Sequence, residues 1–357
     1  MASLEATVRQ LLTLPREAGT PEAAAARELV AGHLRALGYD VVAQKFSFCP
    51  ASLRAFPLFG DGLGVLALIL FPLLASPNVP AWAALLIWLG GIVLLTITAV
   101  GIALGWAPLG ERPREDANLI ATKGSARPRR WVVAHLDSKA QGHSMAGRLV
   151  AVWMTGLAIV TVSIGAALRL AGPVGGLGSA VICGTALVAG FLARRGRLKG
   201  RSLGARDNGS GIVALLAAAE VSKGELGFLV TGAEEFGLVG ARVFARYEPN
   251  FRSCEFVNVD TVDEQGTLYL VSHNSQGERL AGALEPGLKD VGPPLRQRRL
   301  PLGIFVDSAP LARSGAAAVT VGRLTWATLR CIHTAADTPD KLSFSTAKAV
   351  GQAIALN

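Results

Sequence analysis

Two adjacent glutamates, Glu234 and Glu235, are the residues of this chain whose types and spacing first suggest chemistry. They follow the apolar run 228–230, which is typical of a buried strand, and precede two glycines and a helical pattern. Open α/β sheets bind their ligands at the carboxyl ends of strands. Neighbouring side chains there point in different directions, so one carboxylate can hold a metal while the other faces a water. A lone Glu-Glu pair is more commonly a solvated turn, so the interpretation depends on the residues expected around it.

Histidine and aspartate residues follow two other predicted elements. His135 and Asp137 come after the strand-like run 131–134, and an Asp two positions after a His suits a metal ligand held close to an orienting carboxylate. Asp207 precedes a helical pattern at 210–222. There it either caps the helix or bridges two cations with its two carboxylate oxygens.

One more acid and a second histidine complete the set of candidate metal ligands. Asp260 ends the apolar run 256–259, and His333 lies in a loop ahead of the last helix. Together with the residues above, they predict two histidines and three acids on one rim, with Glu234 free to act as a base. Mixed His and carboxylate ligands suit zinc, with manganese or cobalt as alternatives. Two metals about 3.5–4 Å apart polarise a carbonyl and activate a water together.

The elements that must position these residues alternate between strands and helices. This order predicts an α/β fold with a mostly parallel mixed sheet flanked by helices. Strands are predicted at 39–48, 117–121, 131–134, 226–231, 255–259, 267–271 and 317–321. Helices are predicted at 4–15, 21–38, 210–222 and 238–246, and Thr20 followed by Pro21 is a helix start signal.

Composition predicts membrane segments. The chain is 51% hydrophobic and 17% charged, whereas soluble domains carry roughly 25% charged residues. Four apolar runs at 56–75, 81–106, 149–171 and 175–193 approach or exceed the ~20 residues that cross a bilayer. Turn-like connectors at 76–80 and 171–173 pair them into two transmembrane hairpins, with buried helices of a soluble core as the alternative. Asp61 is costly at mid-bilayer, so we expect it near one end of the first span.

The distribution of charge indicates the class of binding partner, and the cysteine content indicates the redox compartment. The net charge is +9, and the basic clusters at 126–130 and 194–201 flank apolar runs. They favour an anionic lipid surface over nucleic acid, because no aromatic residues are interleaved with them. A third cluster, Arg296–Arg299, has no predicted partner. The four cysteines show neither CxxC spacing nor a disulfide framework, which is compatible with a reducing compartment.

The motifs jointly resemble those of the M28 family of metallopeptidases, which contains di-zinc aminopeptidases. They are His-x-Asp at 135–137, Asp-Asn-x-Ser-Gly at 207–211, Gly-Ala-Glu-Glu-x-Gly-Leu-x-Gly at 232–240, Asn-x-Asp at 258–260 and His-Thr-x-x-Asp-Thr at 333–338. The resemblance implies that His135 and Asp260 bind one zinc, that Glu235 and His333 bind the other and that Asp207 bridges them. It also implies Glu234 as general base and Asp137 as the residue that orients His135. The segment 307–310 resembles a loop bordering the substrate pocket and receives no catalytic role.

The resemblance leaves out the apolar hairpins, so the predicted domain order is interrupted. Residues 1–54, 108–147 and 195–357 are assigned to the peptidase domain, 55–107 to the first hairpin and 148–194 to the second. In soluble family members a short stretch separates the His-x-Asp and bridging-Asp motifs, whereas 70 positions separate Asp137 from Asp207 here. Each insertion has an even number of spans and returns the chain to the side it left. One catalytic domain can therefore assemble from three segments.

The leading hypothesis is a membrane-anchored di-zinc peptidase acting on peptide substrates, with aminopeptidase specificity. A glutaminyl-cyclase-like transferase is a second hypothesis, although that group uses one metal and does not need all five ligands. A scaffold or receptor without metals would have lost ligands, and none is missing. A transporter is disfavoured, because four short spans with one acidic residue offer little for a translocation path.

Basic residues predict the orientation in the cell membrane. The connectors on one side carry only Arg169, whereas nine Lys and Arg residues flank the spans on the other side, namely Arg54, Arg112, Arg114, Arg148, Arg194, Arg195, Arg197, Lys199 and Arg201. Because the basic side of such proteins is cytoplasmic, we expect a multi-pass protein whose catalytic domain faces the cytoplasm. The absence of a signal-peptide pattern at the N-terminus agrees with this expectation.

Overall fold

Eight strands form one mixed sheet in the computed structural model, which describes residues 3–124, 127–292, 294–300 and 303–357. The strands are β1 (Asp40–Phe48), β2 (Arg114–Thr122), β3 (Arg130–His135), β4 (Leu226–Thr231), β5 (Glu255–Val262), β6 (Thr267–Ser272), β7 (Leu295–Arg299) and β8 (Ala317–Leu324). They are arranged in the order β1-β2-β4-β3-β5-β8-β6-β7. Within the sheet, β4, β3, β5 and β8 run parallel to one another. The predicted α/β class with a mixed sheet is therefore confirmed.

Helices account for most of the remaining described chain. The α-helices there are α1 (Leu4–Leu11), α2 (Pro21–Ala36), α3 (Ala55–Ala75), α4 (Ala81–Ala103), α5 (Met145–Leu168), α6 (Gly176–Arg194), α7 (Ser210–Val221), α8 (Val239–Tyr247), α9 (Ser275–Leu288), α10 (Ser308–Arg313), α11 (Trp326–Cys331) and α12 (Phe344–Leu356). The start signal of α2 works as predicted. Thr20 Oγ1 accepts a hydrogen bond from the Ala23 amide at 3.2 Å, and Pro21 occupies the first helical turn.

The chain divides into two compact units. One unit comprises residues 1–48, 113–140 and 200–357 and contains all eight strands. The other comprises residues 49–112 and 141–199 and contains α3, α4, α5 and α6. Its borders fall five to seven residues from those predicted for the two hairpins.

Both faces of the sheet are covered by apolar packing. On β3, Val132 and Ala134 join a core cluster with residues of α1, α2, α7, α9 and α12, whereas Trp131 and Val133 join a cluster on the other face. Phe244 of α8 and Leu311 of α10 belong to that second cluster. This alternation is what the two-residue period of a strand produces when helices lie on both sides.

Two features of the sheet differ from the sequence expectations. β7 was not predicted. It is an edge strand that pairs only with β6 within the described chain, and the basic cluster Arg296–Arg299 lies on it with every residue exposed. Asp260 does not end its strand: β5 continues to Val262, and its pairing with β8 is irregular between Val259 and Val262. The cluster predicted at 126–130 begins at Ala126, which lies outside the described residues.

The first hairpin replaces a turn between two paired strands. β1 and β2 are antiparallel neighbours from Asp40 opposite Thr122 to Phe48 opposite Arg114. Two strands in this register are ordinarily joined by a loop of a few residues. In this chain the connection between them is instead the whole segment 49–113.

The four helices of the second unit are each long and apolar enough to cross a membrane, by length and composition. α3 and α6 pack with their backbones close together, because a Cβ on Gly60 would lie 2.8 Å from the Gly190 carbonyl oxygen. Close approach at small residues is typical of helices that associate in lipid. Asp61 forms ion pairs with Arg197 and, at 3.5 Å, with Arg194, so this acidic residue is compensated within its unit.

Arg169, which follows α5, binds the connector between α3 and α4. Its side chain is buried and donates hydrogen bonds to the carbonyl oxygens of Leu73 at 3.0 Å and of Ser76 and Val79 at 2.7 Å. The one basic residue of these connectors therefore satisfies backbone acceptors at the end of α3.

Candidate metal centre

The predicted site residues converge at one rim of the sheet. β3 and β4 are parallel with His135 opposite Thr231, so the end of β3 lies beside the turn that carries Glu234 and Glu235. Asp207 lies in the irregular segment 205–209 ahead of α7, where its own backbone angles are not helical, and His333 lies in the loop after α11. Parallel strands place their carboxyl ends on the same edge, which explains the convergence.

The site turns are held in backbone conformations that side chains other than glycine rarely adopt. Ala233, Thr261 and His333 have φ values of +51°, +53° and +65°. Each is a site residue or directly precedes or follows one. Such conformations persist only where surrounding contacts enforce them, and they gather at functional sites. Asn118 of β2 supplies some of these contacts, because its side chain accepts from the Gly232 amide at 3.1 Å and donates to the Gly240 carbonyl at 2.9 Å.

Five of the side chains form two adjacent clusters that share Asp207. The first cluster, called the His135 position, contains His135, Asp207 and Asp260. His135 Nε2 is 3.2 Å from Asp207 Oδ1 and 3.8 Å from Asp260 Oδ1. In each cluster one possible ligand atom from every member lies within 4.8 Å of the others.

The second cluster, called the His333 position, contains Asp207, Glu235 and His333. His333 Nε2 is 3.0 Å from Asp207 Oδ2 and 3.3 Å from Glu235 Oε1. The two oxygens of Asp207 thus face different clusters, as a bridging carboxylate requires. The capping alternative for Asp207 is not observed: the Gly211 amide in the first turn of α7 donates to Asn208 Oδ1 at 2.9 Å, and both Asp207 oxygens face histidines.

Unsatisfied polar atoms show that these clusters fit divalent cations. Glu235 Oε1 is buried and accepts no hydrogen bond from the described residues. Buried polar atoms ordinarily have a partner, so an orphaned carboxylate oxygen aimed at His333 suits a metal ligand. A donor set of two imidazoles and three carboxylates matches zinc, and manganese or cobalt also accept it.

The pKa shifts of the clustered side chains also favour a bound cation. Burial alone would raise the pKa of Asp207, but His135 and His333 outweigh it and hold that pKa far below its ordinary value. Burial would likewise lower the pKa of His135, yet the surrounding carboxylates raise it well above the ordinary value. Without a metal, protonated imidazoles are therefore the countercharge for Asp207.

Asp137 organises the two glutamates. Its Oδ1 and Oδ2 accept hydrogen bonds from the backbone amides of Glu234 and Glu235, each at 3.0 Å. His135 Nδ1 contacts the backbone carbonyl of Asp137 at 3.0 Å, whereas the carboxylate lies 3.7 Å away. The orienting contact proposed for Asp137 thus runs through its main chain, and its carboxylate fixes the turn that carries Glu234 and Glu235.

Glu234 is buried beside the clusters and belongs to neither. Burial, together with repulsion from Glu235 and Asp307, raises the pKa of Glu234 well above its ordinary value, against the opposing attraction of His135. For Glu235, by contrast, burial is outweighed by His333 and Lys139, which lower its pKa to about 2. The two adjacent glutamates therefore differ in proton affinity: Glu234 binds a proton more tightly than an ordinary glutamate, whereas Glu235 binds one more weakly and is suited to hold a cation.

Three residues to which the sequence analysis assigned no role support the centre. Asp337 accepts hydrogen bonds from the amides of Arg206 and Asp207 at 2.9 and 3.1 Å. Lys139 Nζ lies 2.5 Å from Glu235 Oε2. Asp337 belongs to the motif at 333–338 and Lys139 lies two residues after Asp137, so proximity in sequence was the available signal.

Arg16, the third, ties together the segments on either side of the second insertion. Its buried guanidinium donates to the carbonyl oxygens of Leu136 at 2.8 Å, Leu203 at 2.6 Å and Gly204 at 2.9 Å. Ser138 adds a parallel link, since its Oγ donates to the Ser202 carbonyl at 2.9 Å. These contacts bring the loop after His135 to the loop before Asp207.

The fold and the rim of histidines and carboxylates define a zinc-exopeptidase-like protein. The sequence model of peptidase family M28 matches residues 118–357, and the chain belongs to this family. None of the curated proteins compared with the chain matches it in sequence.

Solved structures share the fold at low identity. An aminopeptidase from Aneurinibacillus sp. strain AM-1 is 15% identical with a TM-score of 0.55, covering 98% of this chain and 92% of that one. A zinc aminopeptidase from Bacillus subtilis is 14% identical with a TM-score of 0.55, covering 99% and 93%. A glutaminyl cyclase from Bacteroides thetaiotaomicron, bound to N-acetylhistamine, is 15% identical with a TM-score of 0.56, covering 99% and 96%.

Proposed function

We propose that this protein is a membrane-anchored di-zinc aminopeptidase. The observation that carries the proposal is the pair of His and carboxylate clusters that share Asp207, with Glu234 beside them and outside both. Membership of family M28 and the fold shared with zinc aminopeptidases support hydrolysis of peptide bonds. In this assignment His135 and Asp260 hold one zinc, Glu235 and His333 hold the other, and Asp207 holds both.

The residues of this chain would share the reaction as follows. Two zinc ions, when bound, supply polarisation of the scissile carbonyl and lower the pKa of water. Glu234 accepts the proton of the attacking water and donates it to the leaving amine. The raised pKa of Glu234 matches this exchange, and Asp137 fixes its backbone by accepting the Glu234 amide.

Membrane anchoring is proposed from four helices. Each is long and apolar enough to span a bilayer, and Leu68, Leu94, Val160 and Val181 show that apolar side chains of all four are exposed. Exposed apolar surface of this kind suits hydrocarbon as its surroundings. The multi-pass arrangement with a cytoplasmic catalytic unit remains the expected orientation.

A glutaminyl-cyclase activity is the second candidate, because cyclases of this fold match the chain as well as aminopeptidases do. The complete five-residue ligand set favours the two-metal peptidase. The two reactions also differ in product: a peptidase releases an amino acid, whereas a cyclase loses ammonia from an amino-terminal glutamine.

The test uses the full-length protein purified in detergent and loaded with zinc. It is given peptides with a free amino terminus, the same peptides acetylated at that terminus, and peptides that begin with glutamine. We expect two zinc ions per chain and release of amino-terminal residues from the free peptides alone. Cleavage of acetylated peptides at equal rates would contradict aminopeptidase specificity, and ammonia release with one bound metal would instead establish the cyclase.

A further inference from the structure

A buried lysine touches one of the two metal positions. The Lys139 side chain is 2% exposed, and its ammonium lies 2.5 Å from Glu235 Oε2. Burying an ammonium is strongly unfavourable unless a negative partner compensates it, so Glu235 is the partner that keeps Lys139 in this place. Ser138, the preceding residue, is fixed by hydrogen bonds to Arg16 and to the Ser202 carbonyl. These hydrogen bonds fix the loop that places Lys139 against Glu235.

The two positions are otherwise built alike. Each contains one imidazole, one oxygen of the shared Asp207 and one carboxylate of its own, which is Asp260 at the His135 position and Glu235 at the His333 position. Among the described residues, no Lys or Arg forms an ion pair with Asp260, whereas Lys139 pairs with Glu235. The His333 position is thus less negative by one unit charge.

The lysine also limits how Glu235 can bind. Oε2 is engaged by the Lys139 ammonium, which leaves Oε1, the oxygen that faces His333, as the available donor atom. A second cation at the His333 position would therefore be bound by one oxygen of Glu235 and repelled by the nearby Lys139 ammonium. Charges in a buried site are weakly screened, so this repulsion persists at physiological salt.

We propose that Lys139 makes the two metal positions unequal, so that the His135 position fills at low free metal and the His333 position only at higher free metal. This inference rests on the two-metal function proposed above and adds a control to it. The second ion would then come and go with the supply of free zinc, while the first stays bound. Because hydrolysis is assigned to the two-metal form, Lys139 would tune activity to metal availability.

The experiment measures zinc bound per chain against chelator-buffered free zinc, with the metal-stripped full-length protein in detergent. The wild-type protein should load in two steps, separated by about 10- to 100-fold in free zinc, the usual scale for groups one contact beyond a metal ligand. Lys139→Met should move the second step to lower free zinc and leave the first in place. Lys139→Arg, which keeps the charge, should retain two separated steps.

Three further variants assign the steps and control for surface charge. His333→Ala should remove the weaker step, and His135→Ala the tighter one. Lys289→Met removes an exposed lysine that also pairs with a glutamate, Glu285 at 3.3 Å, and should leave both steps unchanged. Circular dichroism of each variant checks that it is folded.

Each result separates the two proposals. If the wild-type protein takes up no zinc, the two-metal function itself fails. If both ions load in one unresolved step, or if Lys139→Met leaves the second step unchanged, the two-metal function stands and the role of Lys139 is wrong. Weaker zinc binding in Lys139→Met would also overturn the inference, because it would make the lysine a residue that orients Glu235.

Discussion

Neighbouring residues of the same type acquire different roles here through their surroundings. Glu234 and Glu235 are both buried, and Asp137 holds the backbone amides of both. Glu235 faces His333 and Lys139, which lower its pKa, whereas burial and the neighbouring carboxylates outweigh His135 and raise the pKa of Glu234. The proposed roles, Glu235 as a metal ligand and Glu234 as a base, therefore follow from tertiary contacts more than from the Glu-Glu motif itself.

Glu234→Gln tests the base directly. The amide has nearly the shape of the carboxylate but cannot accept the proton, so turnover should fall by about 10²- to 10⁴-fold. Zinc content measured by mass spectrometry should remain at the wild-type value, because Glu234 belongs to neither cluster. Parallel loss of zinc and activity would make Glu234 a ligand instead.

Asp207→Ala tests the bridge by comparison with Asp260→Ala. Since Asp207 presents one oxygen to each cluster, its loss should lower zinc occupancy at both positions. Of the two site histidines, Asp260 pairs with His135, so Asp260→Ala should lower occupancy at one position and spare the other. The measurement is zinc per chain after dialysis at fixed free zinc. Two tightly held ions in Asp207→Ala would rule out the bridging assignment.

At the level of elements, the site depends on contacts between distant segments. Arg16 reaches across more than 100 residues of sequence to the carbonyl oxygens of Leu136, Leu203 and Gly204. Those oxygens flank the second insertion. One guanidinium therefore joins the loop that follows His135 to the loop that precedes Asp207, across the point where the chain of the sheet unit is interrupted.

Arg16→Met should damage both stability and metal binding. It leaves three carbonyl oxygens without their donor and removes a buried cation, which together should destabilise the unit by at least about 3 kcal/mol. The melting temperature in detergent and the zinc content should both fall. Arg35→Met provides the control, because Arg35 forms an exposed pair with Glu28, and such pairs contribute about 1 kcal/mol or less.

Local patterns were sufficient for most elements and for the ligand set. β1 to β6 and β8 were predicted because their residues are apolar or alternating, and the ligands were predicted because they follow those strands or lie in recognisable motifs. β7 was missed because its sequence, Leu-Arg-Gln-Arg-Arg, has an exposed polar character and its place is set by main-chain pairing with β6. Arg16 and Lys139 were missed because their partners are separated from them by about 100 residues or more.

For the molecule as a whole, charge distribution predicts the side of the proposed membrane on which the sheet unit lies. The helices of the second unit have Arg54, Arg148, Arg194 and Arg195 next to the ends that connect to the sheet segments. The connectors at the opposite ends contain Arg169, whose guanidinium is committed to backbone carbonyls. Basic residues remain on the cytoplasmic side during insertion. We therefore expect the metal centre to face the cytoplasm.

Cysteine labelling in intact cells checks this orientation. Asn78, in the first connector, and Lys223, in the sheet unit, are both exposed. Each is replaced singly by Cys in a chain without its four native cysteines and treated with a membrane-impermeant thiol reagent. Asn78→Cys should react in intact cells, and Lys223→Cys only after the cells are lysed. The reverse pattern would place the metal centre outside.

The register of β1 and β2 has a practical consequence for protein engineering. Because Phe48 and Arg114 are paired neighbours, a two-residue turn such as Asn-Gly would join them without disturbing either strand. Ser138 and Ser202 are in direct contact across the second insertion, so a short linker from Ala140 to Gly200 would join that interruption as well. The shortened chain would retain all eight strands and all seven predicted site residues, and it would lack the four long apolar helices.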